Sequence, residues 1–199
     1  MSKLYFRYGA MNSGKSTALL QVAHNYEERD QAVLVAKPKL DIRGGEAVFS
    51  RLGMSRTVDF LIPADSNLRL LFDQERAKRK AVGGKDIACL LIDESQFLTP
   101  AQVDQALEIA VLDGVPVLAY GIRTDFQTKS FPGSHRLFEI AHSIEELKTV
   151  CRCGRKAIFN ARLDNGKFVF EGSQVALDGI ETNYESLCAG CYLRERSRA

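Results

Sequence analysis

The sequence lacks a strong charge excess, a long apolar run and any repeat. Its 27 Lys and Arg against 25 Asp and Glu leave a formal net charge of only +2. A dedicated nucleic-acid binder usually carries a marked basic surplus, so that class is disfavoured. No apolar stretch approaches the roughly 20 residues that span a bilayer, which argues against a membrane protein. The first segment, MSKLYFRYGAMNSGKS, is broken by Lys3, Arg7 and Lys15 and has no uninterrupted apolar h-region, so no secretory signal is expected. The expected compartment is the cytoplasm, where thiols stay reduced, and the five cysteines then need a reading other than disulfides. Low-complexity tracts are absent as well.

What is present suits one α/β domain with a small appendage. The chain has 199 residues, 45% of them hydrophobic, enough for a buried core. Leu4–Tyr8 reads as a first strand. Over Lys15–Glu28, Leu19, Val22, Ala23 and Tyr26 recur at helical spacing. Ala32–Ala36 is a near-continuous apolar run, as in a parallel strand covered on both faces. Lys37 to Arg56 is polar and aperiodic and reads as a long mobile loop, a kind that is often functional. Thr57–Ile62 is predicted as a strand, Ser66–Lys80 as a helix with a solvated charge cluster at its end, and Ile87–Ile92 as a buried strand containing Cys89 as plain core. Thr99 and Pro100 open a helix that Gly114 closes, with Val103, Ala106, Leu107 and Ala110 as its apolar stripe. Val115–Gly121 is a further buried strand. Ser134 is expected to cap a short helix to about His142, and Ile144–Val150 to form the last strand of the sheet. Beyond Cys151 the alternation stops: Ala157–Leu163 and Lys167–Phe170 flank Asn165-Gly166, a hairpin signal.

Gly9-Ala10-Met11-Asn12-Ser13-Gly14-Lys15-Ser16 fits G-x-x-x-x-G-K-[ST] between a strand and a helix, the context this phosphate-binding loop requires. Glycines let successive N–H groups face phosphate oxygens, and the helix N-terminus adds partial positive charge. Lys15 would reach the β and γ phosphates, and Ser16 would offer its hydroxyl to Mg²⁺. From average composition, a chance match anywhere in a chain this long has a probability under about 1%. Ile92 is followed by Asp93 and Glu94. Alone, two acids at a strand end are a solvated edge. Beside a phosphate loop, Asp93 would hold Mg²⁺ with Ser16, leaving Glu94 to act on a nucleophile. A kinase needs such a base near an acceptor hydroxyl and a hydrolase near a water, and the residue types do not decide between them.

Cys151-x-Cys153 and Cys188-x-x-Cys191 form two pairs. Four thiolates in a reducing compartment suit tetrahedral Zn²⁺ better than free thiols. Cys151 and Cys153, two apart in extended chain, face one side and can chelate.

The order of these motifs resembles the type II thymidine kinases: Gly-x-Met-x-Ser-Gly-Lys-Ser, then Asp93-Glu94-Ser95-Gln96-Phe97, then Tyr120 to Gln127 (Tyr-Gly-Ile-Arg-Thr-Asp-Phe-Gln), then two cysteine pairs. The resemblance covers nearly the whole chain. It implies a P-loop NTPase fold, RecA-like, with a parallel sheet flanked by helices in residues 1–150, and a small zinc-bearing β and lasso domain in residues 151–199. It implies phosphate transfer from ATP, with Mg²⁺, to the 5′-hydroxyl of thymidine, and deoxyuridine as a further acceptor. ATP would be held by Gly9, Ala10, Met11, Asn12, Ser13, Gly14, Lys15, Ser16, Asp93 and Gln96, with Glu94 as the catalytic base. Met11, Phe97, Phe126 and Tyr184 would line the thymine pocket, together with the lasso residues Val175, Ala176, Leu177, Asp178 and Gly179. Asp41 and Arg43 resemble the Asp-x-Arg of the family's flexible loop, with a surface ion pair as the plain alternative. The same resemblance implies a homotetramer, feedback inhibition by dTTP, and neither nucleic-acid nor membrane partners.

Three departures stand out. The lasso reads Leu177-Asp178-Gly179-Ile180 where Ile-Gly-Gly is usual, the first cysteine pair is one residue short, and Ser50-Arg51-Leu52-Gly53 replaces a common Ser-His-x-Gly. The competing function is a P-loop NTPase whose zinc module acts on nucleic acid, against which the low net charge counts. A non-catalytic nucleotide sensor is the third reading, and intact Lys15, Ser16, Asp93 and Glu94 speak against it.

Overall fold

The computed structural model describes residues 2–39, 45–174 and 182–198. Its centre is a sheet of six parallel strands. In chain order these are β1 (Leu4–Tyr8), β2 (Ala32–Pro38), β5 (Phe60–Ile62), β6 (Ile87–Ile92), β7 (Val117–Gly121) and β8 (Ser143–Glu146). Across the sheet the order is β5-β2-β6-β7-β1-β8. The helices are α1 (Lys15–Glu28), α2 (Leu68–Ala81), α3 (Pro100–Leu112) and α4 (Pro132–Ile140).

Strand periodicity divides the core in two. Val33, Val35, Leu91, Leu118 and Tyr120 point to the face where Leu19, Leu20 and Ala23 of α1 pack. Leu34, Ala36, Leu90, Ile92, Val117 and Ala119 point the other way, onto α2, α3 and α4 through Phe72, Val103, Ala106 and Leu137. Both faces being covered is why the strands read as unbroken apolar runs. Helix α3 starts as its sequence predicts: Thr99 Oγ1 accepts from the Gln102 N–H, and Gln102 Oε1 accepts from the Thr99 N–H.

Several expectations are corrected. The segment read as a loop from Lys37 to Arg56 begins in β2 and contains a small antiparallel hairpin, β3 (Ala47–Phe49) with β4 (Ser55–Thr57). Thr57–Ile62 is therefore two strands in two sheets, turned apart at Val58-Asp59, where Asp59 Oδ2 accepts from the Val35 N–H at 2.7 Å. Ser134 does not cap α4: Phe131 sits at the N-cap, Pro132 supplies the preset first turn, and the Ser134 hydroxyl donates to the Ile122 carbonyl at 2.5 Å. Ile144–Val150 also divides, since β8 ends at Glu146 and β9 (Thr149–Val150) leaves to pair with β10 (Lys156–Ala157).

The C-terminal part holds a three-stranded antiparallel sheet, β12-β11-β13. Strands β11 (Phe159–Asp164) and β12 (Lys167–Val169) meet at Asn165 and Gly166, whose φ of 49° and 78° make the expected tight hairpin turn. Strand β13 (Thr182–Leu187) runs along the other edge of β11 and leads into α5 (Ala189–Arg196). Cys151, Ala161, Leu187, Cys188, Cys191 and Tyr192 form its apolar cluster. Among the described residues, no helix is long and apolar enough to cross a membrane.

The tightest joint near the acid-bearing turn is at Gly133. A Cβ there would lie 2.5 Å from the Ser95 carbonyl oxygen, 2.7 Å from that of Leu98 and 2.9 Å from that of Gln96. All three are backbone atoms and cannot swing aside. Overpacking of this kind costs about 1–3 kcal/mol. Gly133→Ala should therefore lower the melting temperature by several degrees and move the Ser95–Leu98 turn; an unchanged melting temperature would show that helix α4 can retreat freely.

Candidate active site

The phosphate loop leaves the carboxyl end of β1 and enters α1. Gly9 has no room for a side chain: a Cβ would lie 2.4 Å from the Leu147 carbonyl oxygen and 2.3 Å from Ser13 Oγ. Asn12 (φ 64°) and Gly14 (φ 80°) both take left-handed backbone, which curls the loop. No side chain caps the N-terminus of α1 and no acid sits in its first turn, so its amides and dipole stay available to an anion. Lys15 is buried and donates to the carbonyls of Ala10 (2.9 Å) and Gly9 (3.3 Å). Burial holds its ammonium below the ordinary lysine value, while Glu94 and Asp93 pull the other way.

The loop faces the end of β6, with β7 between them in the sheet. Ser16 Oγ donates to Asp93 Oδ2 at 3.2 Å. Asp93 is 5% exposed, and burial, then the neighbouring Glu94 charge, push it up to about 7. A cation at the Ser16–Asp93 pair would reverse that, since it favours the ionised carboxylate. Glu94 adopts left-handed backbone (φ 49°), so the chain reverses between the two acids. Glu94 Oε2 accepts from Gln96 Nε2 at 2.5 Å, and Gln96 Oε1 accepts from the Ile122 N–H at 3.2 Å. Gln96 thus anchors Glu94 to the end of β7.

The phosphate loop from Met11 to Ser16, with Glu94, lines a cleft of about 730 Å³ whose opposite wall is Phe49 to Leu52 of the β3–β4 hairpin. The hairpin is docked on α1 by the Thr17 and Ser50 hydroxyls, 2.6 Å apart. Sequence reasoning named Ser50 and Arg51 without giving them a task.

The loop's outer side is held by the C-terminal sheet. Asn160 Oδ1 accepts from the Met11 N–H at 2.7 Å, and Asn160 Nδ2 donates to the Thr124 carbonyl at 3.3 Å. Ser186 Oγ donates to the Met11 carbonyl at 2.5 Å, and Thr149 Oγ1 to that of Asn12 at 3.2 Å. Sequence reasoning missed all three. Asn160 carried a signal, being a polar residue at an inward position of the predicted hairpin; Ser186 and Thr149 carried none.

Among the expected base-pocket residues, Phe97 is partly buried and edge-on to Phe131 at 5.5 Å. Phe126 is 1% exposed, under the Arg162 guanidinium at 5.2 Å, and its carbonyl accepts from the Tyr192 hydroxyl. Tyr184 lies on β13 opposite Arg162. Val175, Ala176, Leu177, Asp178 and Gly179, like Asp41 and Arg43, fall outside the described residues.

The four sulfurs of Cys151, Cys153, Cys188 and Cys191 lie within 4.8 Å of one another, and those of Cys153 and Cys188 are 3.6 Å apart. A thiolate tetrahedron at the zinc–sulfur distance of about 2.3 Å has edges near 3.8 Å, so the donor set fits such an ion. The short first pair closes through a tight turn in which the Gly154 N–H reaches the Cys151 carbonyl at 2.8 Å. Arg194 donates to Cys191 Sγ at 3.1 Å, placing positive charge beside four potential thiolates.

An uncapped helix N-terminus, a buried lysine at the loop and a serine–aspartate pair across from it place the protein in the P-loop nucleotide-binding class. The family model described as thymidine kinase matches residues 2–192. Curated proteins named thymidine kinase are similar over nearly the whole chain. That of Mannheimia succiniciproducens is 47% identical over 190 residues, covering 94% of this chain and 93% of its own. That of Idiomarina loihiensis is 46% identical, with 94% of each chain covered. That of Ruegeria pomeroyi is 43% identical, covering 94% and 92%. The chain belongs to the thymidine kinase family.

The Met11 clamp yields a direct test. Asn160 is 2% exposed, so Asn160→Ala empties a buried site and takes the acceptor from the part-buried Met11 N–H. Such a loss costs about 1–3 kcal/mol. Asn160→Asp keeps the acceptor for Met11 but sets a buried carboxylate oxygen against the Thr124 carbonyl in place of the Nδ2 donor, so it should also lose stability. Urea unfolding of both variants checks this, and equal stability of Asn160→Ala and the parent would remove the clamp.

Proposed function

We propose that this protein transfers the γ-phosphate of ATP to the 5′-hydroxyl of thymidine, giving dTMP for deoxynucleotide salvage, with deoxyuridine as a further acceptor. The observation that carries this reading is Glu94 in the same cleft as the phosphate loop, oriented by Gln96 and not bonded to Ser16. A carboxylate so placed can take a proton from an incoming hydroxyl. The 5′-oxygen forms its bond to the γ-phosphorus as the bond from that phosphorus to the bridging oxygen breaks, and ADP leaves. Lys15 and the loop amides hold the β and γ phosphates. Ser16 and Asp93 would hold Mg²⁺, which when bound neutralises phosphate charge.

In this reading residues 1–150 bind ATP, and residues 151–199 fasten the acceptor. Met11, Phe97, Phe126 and Tyr184 would contact the thymine base, a role that family membership also assigns to residues 175–179. Cys151, Cys153, Cys188 and Cys191 would hold a structural Zn²⁺ that closes the base of that segment. A cytoplasmic homotetramer inhibited by dTTP completes the proposal, resting on family membership.

A panel of nucleosides with radiolabelled ATP tests the activity: thymidine should be labelled, purine nucleosides not, and ATP consumption without any acceptor would favour a hydrolase. Glu94→Gln preserves size but takes no proton, so its turnover should fall about 10²–10⁴-fold while ATP still binds. Near-parental turnover would take Glu94 out of the mechanism. Metal analysis of the purified protein should find about one zinc per chain. Four native thiols titrating freely, with no metal, would leave the C-terminal segment held by packing alone.

A further inference from the structure

We propose that Arg51, carried by the β3–β4 hairpin, is a second cationic contact to the terminal phosphates of the donor. Lys15 and Arg51 are the only basic side chains among the described residues lining the cleft. Lys15 comes from its floor and Arg51 from the opposite wall, near enough for the two positive charges to repel. Arg51 has no ion-pair partner among the described residues, and of the arginines in that position, with Arg29, Arg79, Arg123, Arg155, Arg194 and Arg196, it alone lines the cleft. Two cations facing one space from opposite walls, with Glu94 and Asp93 near Lys15 alone, are complementary to a polyanion between them.

The backbone that carries Arg51 is fixed. The Gly53 N–H reaches the Ser50 carbonyl at 3.0 Å, the Leu52 N–H reaches Ser50 Oγ at 3.2 Å, and the Ser50 N–H reaches the Met54 carbonyl at 2.8 Å. Ser50 itself is 7% exposed and bonded to Thr17, two residues beyond Lys15. The turn is thus registered on the same helix whose N-terminus receives the phosphates. A guanidinium set there offers planar, paired donors to phosphate oxygens. In phosphoryl transfer, negative charge spreads over the oxygens of the moving group, where a positioned arginine acts most strongly.

The inference rests on the donor being a nucleoside triphosphate. Arg51→Gln and Arg51→Lys, compared with the parent, test it through kcat and KM for ATP and thymidine, and through binding of ATP and AMP. Arg51→Gln should lower kcat/KM for ATP about 10- to 150-fold, the scale of one charge-assisted contact. AMP affinity, thymidine KM and melting temperature should stay within twofold or a degree of the parent, because Arg51 is exposed and AMP lacks the terminal phosphates. Arg51→Lys should keep part of the activity. Unchanged ATP kinetics, or equal weakening of ATP and AMP, would overturn the role. If the parent phosphorylates no nucleoside yet prefers ATP over AMP in an Arg51-dependent way, the kinase reading fails and this contact stands.

Discussion

The fold turns on the main chain of Met11, whose N–H and carbonyl are both bonded by side chains from the C-terminal sheet, Asn160 and Ser186. A phosphate loop works only if its amides are already aimed, and aiming them means holding Asn12 in left-handed backbone at a cost of about 1–2 kcal/mol. From within, Lys15 and the Ser13 N–H bond the carbonyls of Gly9 and Ala10, which leaves the main chain of Met11 and Asn12 to be held from elsewhere. The restraint comes from outside, from strands more than a hundred residues away in sequence. The C-terminal sheet is thereby part of the phosphate site, although no residue of it appears in the phosphate-loop motif.

A second constraint is the division of labour between adjacent acids. In a continuing strand Asp93 and Glu94 would alternate sides, and one would be lost to the core. The left-handed turn at Glu94 ends the strand at once and keeps both at the sheet's carboxyl edge. Asp93 then meets Ser16 while Glu94 meets Gln96. Burial, and then the like charge of Glu94 so close by, raise the cost of ionising Asp93, which carries that cost as an elevated pKa. The arrangement is strained and electrostatically unfavourable by itself, which is the usual condition of groups arranged for a ligand.

Local rules made much of this legible. Strands β1 and β6 and helix α1 were predicted to the residue, because apolar period, glycine and the loop motif all agreed there. The errors fall where tertiary contacts overrule local preference. Thr57 to Ile62 is uniformly β-prone, yet the Asp59 carboxylate bonds the Val35 amide and splits the run between two sheets. Ser134 is a good cap by type, but its hydroxyl is drawn inward to Ile122. Strand β13 is polar, Thr-Asn-Tyr-Glu-Ser-Leu, and forms because β11 offers it an edge. Lys15, Ser16, Asp93 and Glu94 could be read from motifs, since each is fixed by what phosphate chemistry demands. Asn160 and Ser186 belong to no motif, because their partner is a backbone group with no complementary residue type, and only Asn160 stood out, as a polar residue at an inward hairpin position.

The cysteine cluster belongs to the same line of force. Ser186, Leu187 and Cys188 are consecutive, and the 2.5 Å bond from Ser186 to Met11 needs β13 placed to within a few tenths of an ångström. Among the described residues, β13 is an edge strand paired with β11, and β11 has the three residues of β12 on its far edge. A three-stranded sheet this short is marginal without help. Its apolar cluster is small, and two of the largest contributors, Phe168 and Phe170, are only partly buried. Drawing Cys188 and Cys191 to Cys151 and Cys153 fixes the end of β13 to the turn that follows β9, and Thr149 in β9 is itself bonded to Asn12. The strands of Ser186 and Thr149, two of the three that touch the phosphate loop from outside, are thus joined at the cysteines. Loosening that joint would free Ser186 and Thr149 together, and the loop would lose two of its three outside restraints while every residue of its own motif stayed intact.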